Sequence, residues 1–170
     1  MAEMDEKVNF EGEYANTMFA KNLFYQDKKN KARMWFVCTA TTTQIDLKAL
    51  TKTLGCGSGN LRAGALETMT EKLGAQKGAL NLFAIINDTN NEVKLIVDKR
   101  LTEEFEYIGV HPMVNTATTA ISKEAFMKVV EISGHEPQIL DFAALAPAAP
   151  AGGAAAAAPK KQKPQQQPKK

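Results

Sequence analysis

Lys21-Asn22-Leu23-Phe24-Tyr25-Gln26, then Asp27-Lys28-Lys29-Asn30, then Met34-Trp35-Phe36-Val37-Cys38-Thr39 follow one another within nineteen of the chain's 170 residues. The outer segments are rich in aromatic and β-branched residues, and the middle one in residues that favour turns. Together they predict a β-hairpin, so the fold is built around a sheet from its first well-defined element.

Working outward, Asp46 is an N-cap candidate for a helix that runs to Leu54 and stops at Gly55, with Leu47, Leu50 and Leu54 spaced i, i+3, i+7. Ala65 to Leu73 carries Leu66, Met69 and Leu73 at the same spacing and ends at Gly74. Leu82–Ile86 and Val93–Val97 predict a second hairpin, joined by Asn87-Asp88-Thr89-Asn90-Asn91. Phe105–Ile108 and Asn115–Ile121 predict strands on either side of a Gly109-Val110-His111-Pro112 turn. Ser122 caps a last helix with Phe126, Val129 and Val130 on one face, and Gln138–Phe142 predicts a final strand. Strands and helices do not alternate regularly, which excludes a doubly wound α/β sheet. The order predicts an α+β fold whose sheet or barrel is mixed and largely antiparallel, with helices around it.

A hydrophobic content of 44% over about one domain's length supports a core, but not to the end of the chain. From Ala143 onward the residues are Ala, Pro, Gly, Gln and Lys, with Leu145 as the one large aliphatic, so residues 143–170 are expected to form a disordered tail or linker after a folded unit of residues 1–142. Lys160, Lys161, Lys163, Lys169 and Lys170 give that tail +5, which leaves 16 basic against 19 acidic residues in the body. The basic character therefore belongs to the tail, where Lys160, Lys161 and Lys163 can add salt-sensitive attraction to an RNA backbone, or simply solubilise a linker. Met-Ala-Glu-Met-Asp-Glu is no secretory leader, and no apolar stretch has the length of a bilayer span, so no membrane partner and a cytoplasmic location are expected.

Several chemistries are set aside. Cys38 and Cys56 form no disulfide framework; Cys38 sits in an apolar run, and Cys56 is the one thiol expected to be exposed. Gly55-Cys56-Gly57-Ser58-Gly59 lacks the Gly-Lys-Ser/Thr of a phosphate loop and reads as a plain flexible loop. His111 and His135 have no paired metal-ligand spacing with the cysteines, His135 reads as part of a polar loop, and no Gly-x-Ser-x-Gly elbow is present. Neither a metal nor another cofactor is expected.

One lysine and one turn remain. Lys21 precedes the apolar pair Leu23-Phe24, so its stem can enter the body while its ammonium seeks a carbonyl, carboxylate or phosphate; otherwise it is a solvated lysine on a strand. In Gly109-Val110-His111-Pro112 the glycine permits close backbone approach and the proline stiffens the loop, which suits presentation of N–H donors to an oxyanion. The plain alternative is a tight connection between strands.

Lys21-Asn22-Leu23-Phe24-Tyr25-Gln26-Asp27-Lys28-Lys29 resembles the Lys-Asn-Leu-Phe-Leu-x-Asp-Lys-Lys signature of the YbaK and prolyl-tRNA-synthetase-associated editing domains. The resemblance continues in order through Asp46-Leu47-Lys48-Ala49-Leu50, Glu71-Lys72-Leu73-Gly74, Phe83, Ile86-Asn87-Asp88, Val97-Asp98-Lys99, Gly109-Val110-His111-Pro112 and Asn115-Thr116-Ala117-Thr118, over about residues 20–132. The branch most similar to it is the alanyl-tRNA(Pro) deacylases. This implies a YbaK-like fold that hydrolyses mischarged aminoacyl-tRNA, Ala-tRNA(Pro) first among them, with the aminoacylated 3′ end of tRNA as partner and prolyl-tRNA synthetase or a multi-synthetase complex as a further one. It also implies that Lys21 positions the aminoacyl terminus, Gly109 engages the substrate carbonyl and His111 shapes a small pocket, with Asn22, Val110, Pro112 and Asn115 as substrate contacts. The rival expectation is a non-catalytic editing-fold module that binds a synthetase assembly or tRNA.

The chemistry fits a physical need. A synthetase pocket shaped for proline rejects the smaller alanine by only about 1–3 kcal/mol per missing methylene, so a second, smaller site has to remove the error. Two departures from the family pattern bear on selectivity: only twenty residues precede Lys21, and Cys56–Gly64 is looser than the apolar segment usual there.

Overall fold

The computed structural model describes residues 10–145. The leading hairpin forms: β1 (Thr17–Asp27) pairs antiparallel with β2 (Met34–Ala40), from Ala20 opposite Ala40 to Gln26 opposite Met34. The turn between them is fastened by Asp27, whose Oδ1 accepts from the backbone N–H groups of Lys29 (2.8 Å) and Asn30 (3.4 Å). Every residue of β2 is buried, as expected of a central strand with helices on both faces.

The remaining strands are β3 (Leu61–Ala63), β4 (Val93–Asp98), β5 (Tyr107–Val110), β6 (Thr119–Ser122) and β7 (Gln138–Leu140). They make one seven-stranded sheet in the order β6-β5-β1-β2-β4-β7, with β3 added beside β1. The sheet is mixed: β1–β2, β1–β3 and β5–β6 are antiparallel, while β1–β5, β2–β4 and β4–β7 are parallel. Each parallel pair is joined by a long connection that carries helices, as parallel pairing requires.

Alternation along β1 and β2 divides the core. Ala20, Phe24, Phe36 and Cys38 face one side, where they pack with Met69 and Leu73 of α2 (Leu66–Leu73) and Phe126 and Val130 of α4 (Lys123–Ser133). Trp35 and Val37 face the other, against Leu50 of α1 (Leu47–Thr53), Leu54 just after it, and Phe142 of α5 (Phe142–Leu145). The short α3 (Lys99–Glu103) follows β4 directly. The α+β architecture is therefore as expected, and the helix ends match their sequence signals: Asp46 accepts from Lys48 N and Ala49 N, Ser122 accepts from Ala125 N, and Gly74 closes α2 in the left-handed region.

Several elements differ from expectation. Leu82–Asn87 is a 3-10 helix rather than a strand, because the Asn81 side chain accepts from Phe83 N and starts a helical turn whose Leu82, Ala84 and Ile85 are all buried. The predicted second hairpin does not exist, and β4 pairs with β2 instead. Gly109 and Val110 belong to β5 rather than to the turn after it, Asn115–Thr118 is loop, and the last strand stops at Leu140. Cys56 is buried, and so is His135, whose Nε2 lies 3.1 Å from Asp88 Oδ2 and whose Nδ1 lies 3.1 Å from Ser133 O. Lys160, Lys161 and Lys163 lie outside the described residues.

Candidate active site

The site begins with an interruption in the sheet. On the edge of β1 away from β2, Thr17–Phe19 pair with Tyr107–Gly109 of β5 and Tyr25–Asp27 pair with Leu61–Ala63 of β3. Between these pairings no strand among the described residues covers Ala20–Leu23 on that edge, and Gly64 N donates to Phe24 O (2.9 Å) at its far end. Lys21 and Asn22 lie in this opening. Lys21 is half-buried and stands opposite Thr39, and alternation places it on the α1 side of the sheet with Leu23 and Tyr25. Asn22 therefore takes the other side, with Ala20 and Phe24.

Two buried polar atoms here, Asn22 Oδ1 on the cleft side and Thr39 Oγ1 on the α1 side beside Lys21, have no hydrogen-bond partner among the described residues, and a substrate donor could relieve the former. Asn22 also lines a cleft of about 380 Å³ whose other walls include Phe24, Leu66, Met69, Lys77 and Gly78. Gly64 keeps that cleft tight, since a Cβ there would lie 2.3 Å from the Phe24 ring.

The segment after β5 does not line the cleft itself but meets the loop that carries Gly78. Gly109 is paired on both sides, with Phe19 and with Ala120, and a Cβ on it would come within 2.8 Å of the Phe19 ring. The glycine thus has a packing reason, and its backbone lies within the sheet. The Val110 side chain is buried in the core rather than turned to a ligand, and Pro112 is exposed. Continuing the parallel register two residues beyond Phe19–Gly109 brings His111 level with Lys21. The His111 Nδ1 is 3.1 Å from the Ala117 carbonyl, which can only accept, so Nδ1 carries the proton and Nε2 is left as the acceptor of the neutral ring.

Beyond His111 the backbone turns sharply: Met113 N donates to His111 O (2.9 Å) and Met113 takes φ +60°. Asn81 Nδ2 donates to Ala79 O (2.8 Å) and lies 3.3 Å from the Met113 sulfur, which ties this loop to the one bearing Gly78. Asn115 reaches the same loop, since a Cβ on Gly78 would lie 3.4 Å from Asn115 Nδ2. Asn22 and, through Gly78, Asn115 thus border the cleft, whereas Lys21 projects from the other face of β1 and His111 follows directly on β5, the strand of Gly109 and Val110.

This arrangement of motifs has counterparts. A family model described as an aminoacyl-tRNA editing domain matches residues 2–129. The chain belongs to that family. It is 41% identical over 124 residues to a Bos taurus prolyl-tRNA synthetase associated domain-containing protein 1, covering 72% of this chain and 71% of the relative. It is 33% identical over 115 residues to the prolyl-tRNA editing protein ProX of Acetoanaerobium sticklandii, covering 68% of each. The fold is shared with a solved structure described as "a putative trans-editing enzyme for prolyl tRNA synthetase", at a TM-score of 0.58 and 16% identity, over 82% of this chain and 76% of that one.

In this editing domain the wall residues Leu66, Met69, Lys77 and Gly78 escape sequence reasoning. Leu66 and Met69 read as the apolar face of a helix, yet Leu66 is 42% exposed at the cleft while Leu73 of the same stripe is fully buried. The one signal available was Gly78, which takes φ +83°. Among the described residues no group of three or more potential metal ligands occurs, and no helix is long and apolar enough to cross a membrane.

Proposed function

We propose that this editing domain hydrolyses the ester of mischarged aminoacyl-tRNA, with Ala-tRNA(Pro) as its preferred substrate. The observation that carries the reading is the stretch of β1 left uncovered among the described residues, where Lys21 faces the α1 side and Asn22 Oδ1, without a partner among those residues, faces a cleft of about 380 Å³ on the other side. The oxygen of a water molecule adds to the ester carbonyl, the carbon–oxygen bond to the tRNA breaks, and the proton given up by the water passes to the departing 3′-terminal oxygen, which leaves free amino acid and uncharged tRNA. Lys21 positions the terminus and balances the developing negative charge, while the backbone leading from Gly109 to His111 borders the carbonyl. An aminoacyl ester is already activated, so orientation and charge stabilisation suffice without a covalent nucleophile.

The test is incubation with Ala-, Pro-, Ser- and Cys-tRNA(Pro) alongside a Lys21→Ala variant. Hydrolysis of Ala-tRNA(Pro) in preference to Pro-tRNA(Pro), lost in the variant, is expected; no turnover above the variant sinks the reading. The bovine relative is named for association with prolyl-tRNA synthetase, and a second reading is that this chain associates with that synthetase and does not catalyse. It predicts co-sedimentation with that synthetase and no turnover of any substrate.

A further inference from the structure

The charges of the described residues are segregated. Between Lys28 and Leu66 there are seven cations and one anion, Asp46, whereas the rest of residues 10–145 carries eight cations and fifteen anions. The Asp46 carboxylate is engaged in capping α1. A body that is acidic as a whole thus holds one strongly basic region.

Folding gathers that region into one surface. Lys28 N donates to Asn60 O (2.8 Å), and Arg33 donates to Leu54 O (2.6 Å) and Gly55 O (3.2 Å), which fastens the β1–β2 turn to the loop between α1 and β3. Lys48 and Lys52, one helical turn apart on the exposed side of α1, line a groove of about 600 Å³ together with Ser58, Gly59 and Arg62. Lys28, Lys29 and Lys31 are exposed on the adjoining turn. None of these six cations takes part in an ion pair among the described residues, whereas Lys72, Lys99, Arg100 and Lys128 elsewhere each hold a carboxylate. Cations that repel one another across a groove, with no internal counter-charge, are complementary to an extended polyanion.

We propose that this groove docks the phosphate backbone of the tRNA whose aminoacyl end enters the opening at Lys21, a proposal that rests on the editing reading. The two places lie along the same strand: Arg62 stands opposite Gln26, five residues beyond Lys21, or roughly 17 Å at strand spacing. Lys21, Lys48 and Lys52 share one side of the sheet, because α1 packs on the side to which Lys21 belongs. A nucleic-acid strand can therefore run from groove to opening without crossing the sheet. The loop Gly55–Gly59, with its two positive-φ glycines at Gly55 and Gly59, is then the rim of a binding groove rather than a plain connection.

The experiment measures binding of uncharged tRNA to the full chain by fluorescence anisotropy across a salt series. It compares the triple variant Lys48→Glu, Lys52→Glu, Arg62→Glu with an equally charged control, Lys94→Glu, Lys99→Glu, Lys128→Glu; the tail lysines are common to both. The groove variant is expected to lose at least tenfold in affinity and to flatten the plot of log K against log salt by roughly 0.7–0.9 for each phosphate contact removed. It should also lower kcat/KM for aminoacyl-tRNA while leaving hydrolysis of a 3′-aminoacyl-adenosine unchanged. Single Lys48→Ala and Arg62→Ala variants, neutral changes at exposed positions, give the same slope test should the triple variant fail to fold. Equal loss of affinity in groove and control variants overturns the proposal. Because binding is read without turnover, a chain that binds tRNA through the groove yet hydrolyses nothing would refute the editing reading and leave the docking surface standing.

Discussion

Two recesses open along β1, and they are built on opposite principles. The cleft beside Asn22 is walled by Phe24, Leu66 and Met69, with Lys77 at its margin, and holds a buried oxygen without a partner. The groove beyond Asp27 has an apolar floor from Leu61 and Cys56 but a rim of Lys48, Lys52 and Arg62. The first suits a small group that must be desolvated and oriented; the second suits a long solvated polyanion held by charge. A substrate with a small acyl group on a large nucleic acid presents both kinds of surface, and the strand that joins the recesses sets the distance between them.

The largest effect expected from breaking this division is on chemistry at the cleft end. Lys21→Ala should lower kcat for Ala-tRNA(Pro) hydrolysis by roughly 10²–10³, the loss typical when one preorganised charge-stabilising group is removed. The tRNA affinity of the same variant should change far less, because the groove cations remain. A fall in affinity as large as the fall in kcat would mean that Lys21 belongs to the docking surface rather than to the reacting centre.

The next effect is steric. Gly64→Ala places a methyl group 2.3 Å from the Phe24 ring, whereas Gly109→Ala meets the Phe19 ring at 2.8 Å. Overpacking of this kind costs about 1–3 kcal/mol, and Gly64→Ala should lie at the upper end of that range with Gly109→Ala below it. Chemical denaturation of the two variants checks the order. Equal stabilities would show that Phe24 swings into the cleft, in which case Gly64→Ala should also slow turnover.

Asn22 separates stability from function. An unsatisfied buried acceptor costs about 1–3 kcal/mol, so Asn22→Ala should leave the denaturation midpoint unchanged or raised even though it removes packing. Turnover should nevertheless fall by about tenfold, the worth of one lost hydrogen bond to the substrate. A variant that is less stable and equally active would assign Asn22 to the scaffold.

These residues also show which part of the molecule a sequence makes legible. The Lys21–Thr39 hairpin and the helices capped by Asp46 and Ser122 follow from signals confined to a few neighbouring residues, and the structure agrees. Leu82–Ile86 has the composition of a strand, but a short apolar run that buries Leu82, Ala84 and Ile85 and exposes Ile86 fits a 3-10 turn equally well, and the Asn81 cap decides between them. The same holds at the site. Lys21, Asn22, His111 and Asn115 lie within ordered motifs, whereas Leu66, Lys77 and Gly78 come to the cleft only because α2 and the loop after it pack under β1. The basic groove is hidden in a body of net negative charge, since Lys28, Lys48 and Arg62 become neighbours only through the bonds of Asn60 and Arg33.

The smallest expected effect concerns the tether of the groove end. Asp27 accepts from Lys29 N and Asn30 N and pairs with Arg33 at 3.3 Å, and these contacts, the Lys29 N–H foremost, hold its carboxyl below the ordinary value of 3.8. A carboxylate with a depressed folded pKa contributes stability that is fully present above its unfolded value and is lost as the pH falls through the folded one. Acidification below about pH 4 should therefore loosen the turn that carries Lys28, Lys29 and Lys31, while the cleft at Asn22 has no such dependence on Asp27. In Asp27→Asn the turn loses its ionic component at every pH, so the stability difference from the native chain should be largest near neutrality and shrink as the pH is lowered toward 3. Amide exchange at Lys29 and Asn30, followed from pH 6 to pH 3, reads this locally, because both N–H groups are held by the Asp27 carboxylate. A difference that stays constant over that range would show that the carboxylate's charge is not what fastens the groove to the strand.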